Sequence, residues 1–214
     1  MPGRGRMAHM MRIGLTGGIA AGKSVAAHTF AELGAVLIDH DVLARRVVAP
    51  GTVVLDRLVE RFGEEVLDAD GALDRAALGH LVFNDPAARA DLDAIVHPDI
   101  HRLAAQEEAG AVAADADAIV VHDIPLLVET GQEETFHLVA VVDAPADLRI
   151  RRLVEQRGLG LPDARRRVAA QADDAVRLAA ADVVLPGTGT EDELRAAVRA
   201  LWRRLQTEVE EEHE

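Results

Sequence analysis

The chain of 214 residues contains no cysteine, a single tryptophan and four phenylalanines. The lack of cysteine excludes disulfides, thiolate metal sites and cysteine nucleophiles, and it suits a reducing compartment, which we take to be the cytoplasm. No apolar run reaches the roughly 18 residues that a membrane-spanning helix needs, so we expect no contact with a membrane. Because aromatic residues make up only 2% of the chain, we expect a core of leucine, valine, isoleucine and alanine.

The overall charge is strongly negative, at a formal −14. A protein with this charge is poorly suited to binding nucleic acid, which requires positive potential along the phosphate backbone. Hydrophobic residues make up 49% of the chain and charged residues 28%, a composition typical of one globular core with insertions. The sequence leaves the oligomeric state open between a monomer and a weak homo-oligomer.

Both ends of the chain are predicted to lie outside the folded core. Residues 1–10 contain arginines but are not followed by the apolar stretch of a secretory signal. Residues 208–214 are mostly glutamate, which favours a frayed acidic tail. We therefore predict that residues 1–10 and 208–214 are disordered.

The single lysine of the chain lies in a glycine-rich segment between an apolar strand at residues 12–16 and a helical pattern at 25–33. Residues 17–24 match G-x-x-x-x-G-K-[ST], a loop whose backbone amides hold the phosphates of a nucleoside triphosphate at a helix N-terminus. We expect Lys23 to neutralise the β and γ phosphates and Ser24 to bind Mg²⁺. The residues predicted to contact the nucleotide here are Gly17, Gly18, Ile19, Ala20, Ala21, Gly22, Lys23, Ser24 and Val25.

Apolar segments along the chain predict further strands that alternate with helices, which is typical of a parallel sheet. These strands are predicted at 35–38, 118–122, 138–142 and 182–185. Helical patterns between the second and third strands are predicted at 41–48, 52–62, 74–83, 86–95 and 98–114, with Pro98 as a break. The last helix carries an apolar stripe at Leu194, Val198, Leu201, Trp202 and Leu205, so we assign Trp202 to the core.

This alternation predicts an α/β fold with three regions. The nucleotide-binding core comprises residues 11–40, 116–143 and 181–207, a helical substrate domain comprises 41–115, and an arginine-rich segment comprises 144–180. We interpret the arginine-rich segment as a lid. A solvated ion pair is the better interpretation for any single arginine in it, but together they favour a clamp on a transferring phosphoryl group.

A resemblance to a known family rests on the phosphate loop, the acidic segment Ile38-Asp39-His40-Asp41 and the arginines. Residues 11–205 resemble the dephospho-CoA kinases. The other segments that carry the resemblance are Ala44-Arg45, Ala49-Pro50-Gly51, Val96-His97-Pro98 and Ile124-Pro125-Leu126-Leu127-Val128-Glu129. The resemblance implies a P-loop kinase with a five-stranded parallel sheet, a helical insertion and a lid. Such an enzyme phosphorylates the ribose 3′-hydroxyl of dephospho-CoA with ATP and Mg²⁺, in the last step of coenzyme A synthesis.

The resemblance also implies roles for individual residues. Asp41 corresponds to the catalytic base, and Arg152 to the arginine of the lid. Arg149, Arg157 and Arg177 are carried over as neighbours of that arginine, the first two as further ATP-binding residues. The implied substrate-binding residues are Thr16, Asp39, Asp41, Arg45, His97, Pro125, Leu126, Leu127 and Glu129. The chain departs from the family at Ala20, where glycine is usual, so the loop must turn here without the conformational freedom of glycine.

Three other interpretations were weighed against this one. A guanine-nucleotide switch needs an Asn-Lys-x-Asp motif, which this chain cannot form because its only lysine is Lys23. Another small-metabolite kinase of the same fold is compatible with the phosphate loop alone. A zinc site is disfavoured because the one histidine pair at helical spacing, His97 and His101, has Pro98 between its members.

Overall fold

The computed structural model describes residues 10–83 and 85–211, and these form two compact units. One unit, here called the sheet unit, contains the residues up to Asp39 and those from Gly110 onward. The other, the helical unit, is His40–Ala109. The predicted disorder of residues 1–9 and 212–214 falls outside the described residues.

The sheet unit is built on five parallel strands in the order β2-β3-β1-β4-β5. The strands are β1 (Met11–Gly17), β2 (Val36–Asp39), β3 (Ile119–Asp123), β4 (Leu138–Asp143) and β5 (Val183–Pro186). The central strands are nearly continuous apolar runs because helices cover both faces of the sheet. The predicted five-stranded parallel α/β fold is therefore confirmed.

The sheet unit also contains helices, and apolar side chains of the first and the last of them pack onto these strands. The helices are α1 (Lys23–Glu32), α6 (Ala146–Arg157), α7 (Leu161–Ala169), α8 (Asp174–Ala179) and α9 (Glu191–Glu211). Phe30 of α1 is fully buried, and its ring lies 6.5 Å from that of Trp202 in α9 in an edge-on arrangement. Trp202 is 8% exposed within the main core cluster, which confirms its assignment to the core.

The last helix is longer than the sequence pattern predicted. Disorder was expected from residue 208, but α9 continues to Glu211. Val209 is buried in the same core cluster as Trp202, and Arg204 Nε donates to Glu208 one turn later at 3.1 Å. The prediction of disorder is therefore wrong for residues 208–211, because an apolar anchor and an ion pair of i,i+4 spacing stabilise the additional turn.

The helical unit comprises α2 (His40–Arg46), α3 (Val53–Phe62), α4 (Arg75–Phe83) and the part of α5 (Pro86–Ala114) that ends at Ala109. Contrary to expectation, α5 passes through Pro98 without ending there. A proline in a helix costs one backbone hydrogen bond, about 3 kcal/mol. Apolar side chains on both sides of Pro98 pack into the core of this unit and offset that cost. They are Leu92, Ile95, Val96, Ile100 and Leu103.

Candidate active site

The phosphate loop connects β1 to α1 at the carboxyl edge of the sheet. Gly22 has a φ of 116° and forms the N-cap of α1, whose first residue is Lys23. The backbone amide of Ala21 donates to the carbonyl of Gly18 at 2.9 Å, which closes the loop on itself. The N-terminus of α1 therefore faces the loop with its positive dipole end, the geometry that binds phosphate.

Ala20, where the resemblance implies that glycine is usual, has a strained backbone conformation. Its φ of 62° is the only positive value of a non-glycine residue among the residues that the structure describes. A β-carbon in this left-handed region costs roughly 1–2 kcal/mol. The loop thus keeps a turn suited to glycine although the residue there is alanine.

Lys23 extends from the start of α1 to the end of β3, where its ammonium contacts the carboxylate of Asp123. Asp123 is only 7% exposed. Sequence reasoning missed this aspartate, although it follows an apolar strand just as Asp39 does. The two aspartates are paired residues on the adjacent strands β2 and β3, so two carboxylates and the single lysine meet at one edge of the sheet.

This edge offers oxygen donors of the kind that Mg²⁺ prefers. Ser24 lies exposed in the first turn of α1, and the carboxylates of Asp39 and Asp123 end neighbouring strands. Among residues 10–83 and 85–211, no group of three or more histidine or acidic side chains is arranged to hold a metal ion. Mg²⁺ in nucleotide sites typically takes only one or two ligands from the protein and the rest from phosphate and water. The residues present fit Mg²⁺ bound in that way.

Arg149 of α6 is buried directly against the phosphate loop. The residue is 2% exposed, and Nη1 would lie 2.4 Å from a β-carbon placed on Gly18. Nε donates to the carbonyl of Ala144 at 2.9 Å, and Nη2 donates to the carboxylate of Asp174 at 2.6 and 2.8 Å. The interpretation of a solvated surface arginine is therefore wrong for Arg149. The guanidinium is buried, and the neighbouring carbonyl and carboxylate accept its hydrogen bonds in place of water.

Arg152 lies one turn further along α6 and reaches the same loop. Its Nη1 donates to the carbonyl oxygens of Ala20 at 3.1 Å and Ala21 at 3.2 Å. These two hydrogen bonds place the positive charge of Arg152 against the strained part of the loop. Arg157, the third arginine predicted to bind ATP, is exposed in the last turn of α6.

A second buried arginine joins the arginine-rich segment to the loop that follows β3. Arg177 of α8 is 3% exposed and pairs with Asp174 and with Glu129, the latter at 3.4 Å. The Glu129 carboxylate also accepts a hydrogen bond from the amide of Ala172 at 3.0 Å. Glu129 was predicted to bind substrate, and the structure places it in this network. The interpretation of a solvated arginine is wrong for Arg177 as well.

The remaining predicted substrate residues of the sheet unit differ in exposure. Thr16 is buried, and its hydroxyl donates to the carbonyl of Pro125 at 3.4 Å. Leu127 is fully buried in a cluster with Val139 and Val141, whereas Leu126 is 49% exposed. Of the two leucines, only Leu126 presents its side chain at the surface.

Three predicted residues lie in the helical unit. Asp41 and Arg45 are exposed on α2, and His97 is exposed on α5, where it lies 3.6 Å from the Asp93 carboxylate. The rings of His97 and His101 are 6.4 Å apart. Partial burial and the neighbouring charge of His97 lower the pKa of His101.

No helix in the described part of the chain is both long and apolar enough to span a bilayer.

A family model described as dephospho-CoA kinase matches residues 11–193. The chain is 52% identical over 194 residues to a dephospho-CoA kinase of Mycobacterium tuberculosis strain H37Rv, covering 90% of this chain and 47% of the relative. It is 49% identical over 196 residues to the Leifsonia xyli dephospho-CoA kinase, covering 92% and 99%. The chain thus spans about half the length of the mycobacterial relatives it matches.

Two solved structures are similar in fold. TT1252 from Thermus thermophilus superposes with a TM-score of 0.79 at 34% identity, covering 92% of this chain and 98% of that one. A dephospho-CoA kinase from Campylobacter jejuni superposes with a TM-score of 0.67 at 26% identity, covering 92% and 97%.

Proposed function

Because the chain belongs to the dephospho-CoA kinase family, we propose that it transfers the γ-phosphoryl group of ATP to the ribose 3′-hydroxyl of dephospho-CoA. The products are coenzyme A and ADP. The observation that carries this proposal is the phosphate loop, with its single lysine at the carboxyl edge of the sheet, within the 11–193 family match. Ligands of parallel α/β proteins bind at this edge.

The triphosphate of ATP lies against the loop between β1 and the start of α1. Amides at the N-terminus of α1 donate to phosphate oxygens, and Lys23 exchanges its contact with Asp123 for the β and γ phosphates. Mg²⁺ neutralises phosphate charge when bound, and Ser24 would hold it, with Asp39 and Asp123 as further oxygen donors at the same edge. The loop itself therefore provides one cation, Lys23, and a set of oriented amides for a highly charged ligand.

The transfer step needs a general base and positive charge around the transferring phosphoryl group. The 3′-hydroxyl oxygen forms a bond to the γ-phosphorus while the bond to the bridging oxygen of ADP breaks, and Asp41 accepts the hydroxyl proton. Arg152 and Arg149 flank the loop, where positive charge stabilises the equatorial oxygens of the transferring group. The arginine-rich segment acts as a lid that keeps water, the competing nucleophile, away from the γ-phosphate.

Composition and substrate chemistry also bear on the location of the enzyme. The absence of cysteine and the nature of both substrates suit a cytoplasmic enzyme that binds ATP and dephospho-CoA, and neither nucleic acid nor a membrane. We propose a monomer or a weak homo-oligomer.

The proposal is tested by identifying the product. The chain is incubated with MgATP and dephospho-CoA, and the nucleotide products are separated and assigned by phosphorus NMR. We expect one ADP for each coenzyme A, with the new phosphate on the 3′ oxygen. Lys23→Met, expected to be inactive, is the control for a contaminating kinase. Release of inorganic phosphate without coenzyme A would contradict the proposal.

A further inference from the structure

Gln171 lies in the turn between α7 and α8, and its side-chain oxygen contacts the phosphate loop. The oxygen accepts a hydrogen bond from the backbone amide of Ile19 at 2.8 Å and one from Nη1 of Arg149 at 3.3 Å. Both partners can only donate, so the carboxamide has to present its oxygen to them. A single atom thus joins the loop to Arg149.

The surroundings of Gln171 hold this oxygen in place. The next residue, Ala172, donates its amide to Glu129, and Asp174 binds Arg149 from the other side. The backbone amide of Gln171 donates to the carbonyl of Val168 at 3.3 Å. The turn is therefore attached at several points, and Gln171 is fixed between the loop and the buried ion network.

Each nitrogen of the Arg149 guanidinium has a separate partner. Nε binds the Ala144 carbonyl, Nη2 binds Asp174, and Nη1, the nitrogen nearest Gly18, binds Gln171. Because a guanidinium is planar, three contacts in three directions fix its orientation. Nη1 carries two hydrogens, and the bond to Gln171 uses one of them at the nitrogen nearest the loop.

We propose that Gln171 is a positioning residue that orients Arg149 toward the phosphates of the nucleotide and couples the turn between α7 and α8 to the phosphate loop. This inference rests on the proposed function, because it assigns Gln171 to the same nucleotide site. A neutral acceptor suits this position better than a carboxylate. Glutamate would place a second carboxylate on Arg149, beside that of Asp174, and add negative charge where phosphates bind.

The coupling is tested by a double-mutant cycle on MgATP affinity. Gln171→Met keeps the length of the side chain and removes the acceptor, and Arg149→Ala removes the group that it orients. Kd for MgATP is measured by titration calorimetry for the wild type, both single variants and the double variant. Gln156→Met, an exposed substitution on α6, is the matched control.

We expect Gln171→Met to weaken MgATP binding about tenfold, the lower end for a hydrogen bond to a charged group. In the Arg149→Ala background the same change should have less than about a twofold effect, because the group that Gln171 positions is gone. Kinetic assays should show a matching rise in KM for ATP and little change in KM for dephospho-CoA. Gln156→Met should behave as the wild type.

Equal effects of Gln171→Met in both backgrounds would overturn the inference, as would a lower melting temperature with unchanged Kd. Calorimetry does not involve dephospho-CoA, so it decides the role of Gln171 whatever the acceptor is. A wild type that binds MgATP and shows the coupling, but does not phosphorylate dephospho-CoA, would refute only the proposed function. A wild type that does not bind MgATP would refute both.

Discussion

The buried ion network predicts that two arginines of the same segment differ sharply in their effect on stability. Arg177 is 3% exposed and pairs with Asp174 and Glu129, whereas the side chain of Arg166, paired with Asp163, is 78% exposed. Each is replaced by methionine, which keeps most of the aliphatic stem. Arg177→Met leaves two partly buried carboxylates with one cation fewer, and Arg166→Met leaves one carboxylate in water.

Removing one partner of a fully buried ion pair costs about 3–5 kcal/mol. The value here should be lower, because the side chains of Glu129 and Asp174 are 20% and 34% exposed and Asp174 keeps Arg149. We therefore expect Arg177→Met to lower the free energy of unfolding by about 2–3 kcal/mol, and Tm by roughly 4–12 °C for a chain of this size. Arg166→Met should cost about 0–1 kcal/mol.

Urea denaturation followed by circular dichroism measures both values on the same scale. We expect the free energies of unfolding of the two variants to differ clearly, with unchanged m-values. Equal losses, or a larger loss for Arg166→Met, would show that burial of the network does not determine its contribution to stability.

Lys23→Arg keeps the charge, but the planar guanidinium does not fit the loop, so transition-state stabilisation measured from kcat/KM should fall by at least roughly 3 kcal/mol, as for the loss of a preorganised donor. Near-normal turnover in steady-state kinetics would show that the loop takes no part in the chemistry. Asp41→Asn should lower kcat by about 10² to 10⁴ with little change in KM for ATP, since a base acts on the acceptor; if Asp39→Asn is the inactive variant instead, the base is Asp39. Ala20→Gly should leave the free energy of unfolding unchanged or raise it by up to about 1 kcal/mol, because it relieves the positive φ of 62°. Ala21→Gly, at a buried position without that strain, should lower it, and chemical denaturation that ranks the two variants the other way would refute this account of the loop.

The strands and the phosphate loop were predictable because their signals are local. Short apolar segments end in glycine at β1 and in aspartate at β2, β3 and β4, and the loop motif lies between a strand and a helix. The sequence also indicated that the loop at Ala20 lacks the conformational freedom of glycine, whereas its positive φ came from the structure. These features depend on residues close together in the chain.

The contacts that complete the site could not be predicted from local patterns. Lys23 meets Asp123, 100 residues away, because β3 is the neighbour of β1, and strand order is not visible in a single sequence. Gln171 meets Ile19 across 152 residues. The predicted helix break at Pro98 was wrong for a related reason. The apolar side chains on both sides of Pro98 pack against other helices of the helical unit, and this packing is not visible in the local sequence.

The central claim is that the 3′-hydroxyl of dephospho-CoA is the phosphoryl acceptor. It is tested most directly by measuring kcat/KM for ADP formation with MgATP and, in turn, dephospho-CoA, shikimate, gluconate and AMP, each against the Lys23→Met background. The account predicts turnover with dephospho-CoA that exceeds turnover with each other acceptor by at least about a hundredfold, since an acceptor that leaves buried polar groups unpaired is strongly rejected. Comparable or faster turnover with any of the other three would contradict it.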